Sequence, residues 1–298
     1  MRTSFLRPYL DLTKSGIVML VGMTALAGYL AGQSFEVSLD FFYLARTLLG
    51  IMALAAGSSA LNQIQEIEID RKMPRTSRRP LVTGTLTKRQ ALVTSTALLL
   101  LGLGLLFKTN WITFALGLLA VFSYNVLYTR WWKPTHPFAA IPGALPGALP
   151  VLMGYTAVAF DPLSPQGLYL FAILFLWQMP HFWALAIRYR EDYAEGGIPT
   201  LPVSFGEQAT LRHVTLWALA YVGTSLLAPL FFSVGAIYLI PAILMGVKVL
   251  LELRRFKRSK DRSSWLRFFL WINFSLVIYL FAVPIDLWSI YLWVPLTQ

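Results

Sequence analysis

Residues Phe41–Leu81 read FFYLARTLLGIMALAAGSSALNQIQEIEIDRKMPRTSRRPL. The part up to Leu61 is an apolar run long enough to cross a bilayer as a helix, and it passes without a break into charge. Asn62–Leu81 carries three acids and five Lys/Arg. Asn62, Glu66 and Asp70 recur every four residues, so a helix sets them on one face, one turn apart, while Glu68 points elsewhere. A row of oxygen ligands at the end of a membrane helix, with Arg71, Lys72, Arg75, Arg78 and Arg79 behind it, can hold a divalent cation and a polyanion together. Mg²⁺ takes one or two carboxylates and completes its shell with water and phosphate oxygens. A solvated helix end followed by a basic loop accounts for the arginines. It does not account for the four-residue spacing.

The chain has 298 residues, of which 57% are hydrophobic and 13% charged, with a mean hydropathy of +0.61. A soluble domain carries about 25% charge. The composition therefore describes a polytopic membrane protein, and the absence of cysteine excludes disulfides, iron–sulfur clusters and cysteine zinc sites. The net charge of +11 reflects basic cytoplasmic loops rather than nucleic acid. We read one membrane-embedded domain over 1–298, all-α, with about nine spans near 16–32, 41–62, 91–107, 110–128, 138–158, 166–187, 213–231, 234–251 and 265–285. The first span is read as retained rather than as a signal peptide.

Lys/Arg collect at the N-terminus (Arg2, Arg7, Lys14), around Lys88 and Arg89, at Arg130 and Lys133, at Arg188, Arg190 and Arg212, and from Arg254 to Arg262. The other side carries Glu36, Asp40, Lys108, Asp161 and Asp286, so the N-terminus and both acidic loops face the cytoplasm and the C-terminus does not. Arg46, near the outer end of the second span, runs against the pattern.

The second acidic loop follows the sixth span, WQMPHFWALAIRYREDYAEGGIPTLPV (Trp177–Val203). Pro180 should kink the helix or free a carbonyl, and it places the ionisable His181 beside a distortion inside the bilayer. Eleven residues at ~1.5 Å each set His181 about 16 Å deeper than Asp192. Two charged helix ends on one side, joined by Lys133, can enclose a metal–phosphate. IPGALPGALP (Ile141–Pro150) puts three prolines into a span, and a broken backbone there is tolerated where it lines a cavity.

The N-x3-acid-x3-D spacing of Asn62, Glu66 and Asp70 resembles the first motif of the UbiA superfamily of intramembrane prenyltransferases. Met73, Arg75, Thr76, Arg79, Pro80 and Leu81 narrow the likeness, as do Pro180–Ile187, Asp192-Tyr193, Gly197-Ile198-Pro199 and Leu201-Pro202-Val203. Together they resemble the haem O synthase (protohaem IX farnesyltransferase) branch, over most of the chain. Glu66 stands where that family usually has Asp, and Tyr189-Arg190-Glu191-Asp192-Tyr193 replaces a plain D-x3-D, so Asp192 is the better match and Glu191 the weaker.

The resemblance implies a UbiA-type fold of about nine helices around an intramembrane cavity. It implies farnesyl transfer from farnesyl diphosphate to a vinyl group of haem B, with water added, in the inner membrane of the cell. On that reading Mg²⁺ is the cofactor, held by Asn62, Glu66, Asp70 and Asp192. Arg75, Arg79, Lys133, Arg188 and Arg190 bind the diphosphate, and His181 positions the haem. Asp70 is expected to be an exposed ligand whose loss costs little folding. Beyond the substrates and the lipid bilayer, the implied partners are the next haem-modifying enzyme or terminal oxidase assembly. Two other readings stay open: the same chemistry on a quinone precursor or chlorophyll-type ring, and a transporter gated by charged loops. A transporter predicts ionisable residues spread through mid-membrane, whereas here they collect at one face.

Overall fold

Each stretch read as a span overlaps a helix in the computed structural model, which describes residues 6–34 and 37–293, with side chains to residue 289. Arg2, Glu36 and the C-terminal end lie outside the described residues. The long helices are α1 (Ser15–Gly32), α2 (Phe41–Gln65), α3 (Lys88–Thr109), α4 (Trp111–Phe122), α5 (Ala140–Ala159), α6 (Pro165–Arg188), α7 (Leu201–Ser225), α8 (Ala236–Ser259) and α9 (Arg262–Trp293). A π-helix, Ser123–Trp132, continues α4. Eight spans are long and apolar enough to cross a membrane, counting α4 and its π-helical continuation as one stretch, Trp111–Thr135; α7 falls short because Glu207, Arg212 and His213 lower its hydropathy. The described residues contain no strand. The chain is a multi-pass membrane protein.

Helix ends differ from the sequence reading where local chemistry intervenes. α7 begins at Leu201 rather than near 213, because Gly206 (φ 80°, ψ 170°) turns a short leading segment into the spanning part. It stops at Ser225 because Pro229 has no N–H to offer the Ser225 carbonyl. Tyr169 and Tyr238 hydroxyls donate to that carbonyl instead, at 3.1 and 2.6 Å. Asp286, read as part of an outer connection, lies buried within α9. Its carboxylate accepts from the Gly235 and Tyr238 amides at 2.8 and 2.7 Å, capping the start of α8.

The prolines do not break the helices either. α5 runs unbroken through Pro146 and Pro150, and α6 through Pro180. In α5 the prolines Pro142, Pro146 and Pro150 stand four apart, so the N–H missing at Pro146 and at Pro150 faces the carbonyl of the preceding proline. The lost bonds are confined to one stripe of the helix.

In a bilayer, helices associate through close packing rather than through a hydrophobic drive, so small residues set the distances. Gly28 of α1 and Gly154 of α5 face each other's backbones. A Cβ on Gly28 would lie 2.0 Å from the Val151 carbonyl oxygen, and one on Gly154 would lie 1.9 Å from that of Ala25. Glycine is required at both. α2 and α3 meet the same way at Gly50, Gly57 and Gly102, and Ser95 Oγ donates to the Gly57 carbonyl at 2.9 Å. Trp183 of the PHFWALAI block is fully buried against Trp217 (ring centroids 6.1 Å apart, 82° between planes), so that part of the block is core.

Candidate active site

The end of α2, the end of the π-helix and the start of α1 meet at one end of the bundle. The helix axis bends at Glu66 (φ −105°, ψ 10°) before a short helix, Ile67–Lys72. The Glu66 amide still donates to the Asn62 carbonyl (3.0 Å) and the Asp70 amide to the Glu66 carbonyl (2.8 Å), so the four-residue register survives the bend. Asn62, Glu66 and Asp70 are only 2–3% exposed. This corrects the expectation that Asp70 is an exposed ligand: the bend folds the row inward. Glu68, one residue off the register, is exposed and pairs with Arg71 at 3.0 Å.

Each member of the row is engaged by a group from elsewhere in the chain. Lys14 Nζ donates to Asn62 Oδ1 at 3.3 Å, and Asn62 Nδ2 donates to Thr129 Oγ1 at 3.1 Å. Lys133 Nζ pairs with Glu66, and an Arg79 guanidinium nitrogen pairs with Asp70, each at 2.5 Å. Thr76 Oγ1 donates to the Asp70 carbonyl at 3.0 Å. Three cations thus meet two carboxylates, which leaves a positive surplus. Burial pushes the Lys14 ammonium down to about 8, and the neighbouring Arg79 guanidinium adds to the shift. Burial pushes the Glu66 carboxyl up, but Lys133, Lys14 and Arg79 outweigh it and hold the group below the usual carboxylate range. Buried pairs of this kind contribute little net stability after desolvation. They store charge in a fixed place.

Beside the row opens a cleft of about 390 Å³ between the Arg7–Thr13 helix, the start of α1 and the loop before Pro80. Lys14, Arg75, Arg78 and Arg79 line it against a single acid, Asp11. Lys14 reaches it from a left-handed backbone conformation (φ 53°, ψ 52°) at the joint between the two helices, one that non-glycine residues seldom adopt.

The second acidic loop touches the first. Asp192 Oδ2 accepts from the Arg75 amide at 3.1 Å, and the Arg75 guanidinium lies 5.2 Å from the Tyr189 ring centroid and 5.9 Å from that of Tyr193. Met73 packs with Ala186, Tyr193 and Ile198 beneath this contact. α6 ends at Tyr189 (φ −112°, ψ 34°) and a new helix, Arg190–Glu195, carries Asp192. The eleven-residue depth between His181 and Asp192 therefore does not hold as one straight rise.

The predicted residues divide into three sets. Asn62, Glu66, Asp70, Arg79 and Lys133 form one constellation, and Arg75 with Asp192 adjoins it. Arg188, Arg190 and His181 stand apart from it. Arg188 is exposed and leans toward Trp265 of α9 (6.0 Å), while Arg190 is exposed without an ion pair among the described residues. The His181 ring stacks between Trp177 (4.5 Å) and Phe269 (4.9 Å), and its Nδ1 is buried without a partner. Sequence reasoning missed Lys14 as a site residue. Its signal was its place as the last base before the first span, which was credited to topology alone.

Among the described residues no three His, Asp or Glu groups converge as a metal cluster; Glu66 and Asp70 pair with Lys133 and Arg79, and Asp192 holds the Arg75 amide. The donor chemistry still fits a hard cation. Asn62 Oδ1 and the Glu66 and Asp70 carboxylates offer only oxygen, from one short stretch, beside a cleft lined with cations.

The buried Asn–acid–acid row and the cationic cleft thus lie together at one end of a membrane helical bundle. Residues 21–294 match the UbiA prenyltransferase family, and the chain belongs to that family. It is 47% identical over 284 residues to the Protoheme IX farnesyltransferase of Bdellovibrio bacteriovorus, covering 95% of this chain and 97% of that one. It is 38% identical over 292 residues to the Protoheme IX farnesyltransferase of a Synechococcus species, covering 96% and 86%. In fold it is similar to a UbiA homolog from Archaeoglobus fulgidus bound to GPP and Mg²⁺ (TM-score 0.67, 19% identity, 93% of this chain and 99% of that one). It is also similar to a Digeranylgeranylglyceryl phosphate synthase (TM-score 0.75, 21% identity, 94% and 98%).

Proposed function

We propose that the chain transfers the farnesyl group of farnesyl diphosphate to a vinyl group of haem B, with addition of water, giving haem O and diphosphate. The relatives named above support the acceptor. The observation that carries the site is the buried Asn62–Glu66–Asp70 row beside the four-cation cleft. The carbon–oxygen bond of farnesyl diphosphate breaks with its electron pair leaving on the diphosphate. The allylic carbon bonds to the terminal vinyl carbon, and water captures the resulting cation and loses a proton.

Asn62, Glu66 and Asp70 would hold Mg²⁺, which supplies charge neutralisation to the leaving diphosphate. Arg75, Arg79 and Lys133, with Lys14, are fixed in place before the reaction, so they need little reorganisation as negative charge develops. Asp192 acts through Arg75, whose amide it holds. Arg188 and Arg190 belong to the approach of the diphosphate rather than to its seat. The apolar interior keeps water from the cation until the acceptor has captured it. The unit is the whole of 1–298, in the inner membrane, with the N-terminus and both acidic loops in the cytoplasm.

In lipid nanodiscs, diphosphate release is expected only when farnesyl diphosphate, haem B and Mg²⁺ are all present, and EDTA should stop it. Release at the same rate without haem would remove haem from the reaction.

His181 positions the haem. Its faces are held by Trp177 and Phe269, which fixes the ring, and the free Nδ1 suits either iron or a carboxylate. His181→Ala is expected to shift or remove the Soret band of bound haem while diphosphate affinity stays within about twofold. A normal Soret band would leave His181 as packing alone.

A further inference from the structure

Between α2, α4 and the π-helix runs a groove of about 740 Å³, walled by Leu61, Ile64 and Phe122 and broken by three polar groups, Gln65, Asn125 and Arg130. Asn125 Nδ2 donates to the Ser58 carbonyl at 2.9 Å, and Gln65 Nε2 donates to the Asn125 carbonyl at 3.0 Å. Both partners can only accept, so neither amide can be turned round. Asn125 Oδ1 and Gln65 Oε1 are thereby fixed as buried acceptors, and neither has a donor. Asn125 is 2% exposed, while Arg130 is exposed and has no ion pair among the described residues.

The π-helix explains how these groups share the groove. Its bonds run from each residue to the fifth before it, as the Lys133 amide does to the Tyr128 carbonyl, so Asn125 and Arg130 stand one turn apart on one face. In an α-helix they would diverge by about 140°. The same helix forms the wall between groove and active site. Thr129 and Lys133 face Asn62 and Glu66, while Asn125 and Arg130 face the groove.

The groove therefore asks for an apolar body, an acid at the mouth and a hydrogen-bond donor one turn deeper. The headgroup donors of a phospholipid lie outside its phosphate, not beneath it. Resting on the function proposed above, the product has the required order. Hydration leaves one hydroxyl beside the new farnesyl tail, across the ring from the two carboxylates, where haem B has only a vinyl group. We propose that the groove is a docking site for haem O, reading its hydroxyl through Asn125 and Gln65 and its carboxylates through Arg130. The farnesyl tail lies along the apolar wall. The site distinguishes product from substrate and draws haem O off the reaction centre.

The chain has no cysteine, so Val126→Cys on the exposed groove wall takes a single fluorophore that bound haem quenches. In phosphatidylcholine nanodiscs, haem O is expected to quench at about tenfold lower concentration than haem B. Arg130→Leu should raise both midpoints by a similar factor, and a label at Leu227→Cys should show no preference. Equal midpoints for the two haems, or indifference to Arg130→Leu, would overturn the proposal. So would displacement of haem O by phosphatidylglycerol, which would make the groove an anionic-lipid site. Turnover is followed in the same samples. Protein that makes haem O without the quenching preference refutes the groove alone, whereas protein that makes none refutes the reading on which it rests.

Discussion

Asp70→Asn is expected to lower farnesyl transfer at least a hundredfold while leaving folded protein in the membrane. The side chain is 3% exposed and paired with Arg79, so it is both a charge in the site and the partner that holds that guanidinium in place. Removing one preorganised electrostatic group commonly costs ~10²–10³ in rate, about 3–4 kcal/mol of transition-state stabilisation. The isosteric amide keeps the shape and a hydrogen bond, which separates chemistry from folding. Asp70→Ala should go further and abolish transfer. It should also lower thermal stability, because the mostly buried Arg79 charge loses its counterion. Rates on purified protein, with a melting curve for each variant, decide the matter. Wild-type activity in Asp70→Asn would take the acidic row out of the mechanism.

Gly154→Val is expected to yield almost no monodisperse protein in mild detergent. The new Cβ would have to occupy a point 1.9 Å from the Ala25 carbonyl oxygen, and both neighbours are helix backbone that cannot rotate away. α1 and α5 would have to part. Overpacking already costs ~1–3 kcal/mol where side chains can adjust, and here they cannot. The damage reaches function as well, because the α1 displaced in this way carries Lys14 at its start. Gly104→Val, at a glycine with open space around it, should be recovered normally by size-exclusion chromatography.

The local patterns of this protein were legible in its sequence. The four-residue row of Asn62, Glu66 and Asp70 depends on helical periodicity, and it held even across the bend at Glu66 because the backbone ladder continued. The spans depend on apolar length, so their starts were found within a few residues except at α7, which begins at Leu201, while α8 and α9 run on past the ends read for them to Ser259 and Trp293. What the sequence hid was long-range pairing. Lys14 meets Asn62 across 48 positions, and Asp286 caps α8 across 51. No spacing rule reports either contact. Proline misled in a consistent way. Pro142, Pro146 and Pro150 predicted broken backbone, but packing within the bundle kept α5 whole. The depth read for His181 assumed one continuous helix, but α6 ends at Arg188 and a separate helix carries Asp192, with no proline between them to announce the change.

The central claim is a specific acceptor, and the mass of the haem recovered from a reaction tests it most directly. Purified protein in nanodiscs is supplied with haem B, farnesyl diphosphate and Mg²⁺, and the extracted haem is read by mass spectrometry. A haem heavier by one farnesyl group and the elements of water is the expected result, and it should be absent from the Asp70→Ala reaction. Haem B recovered unchanged while farnesyl diphosphate is consumed, or while a quinone precursor offered alongside becomes prenylated, would contradict the account.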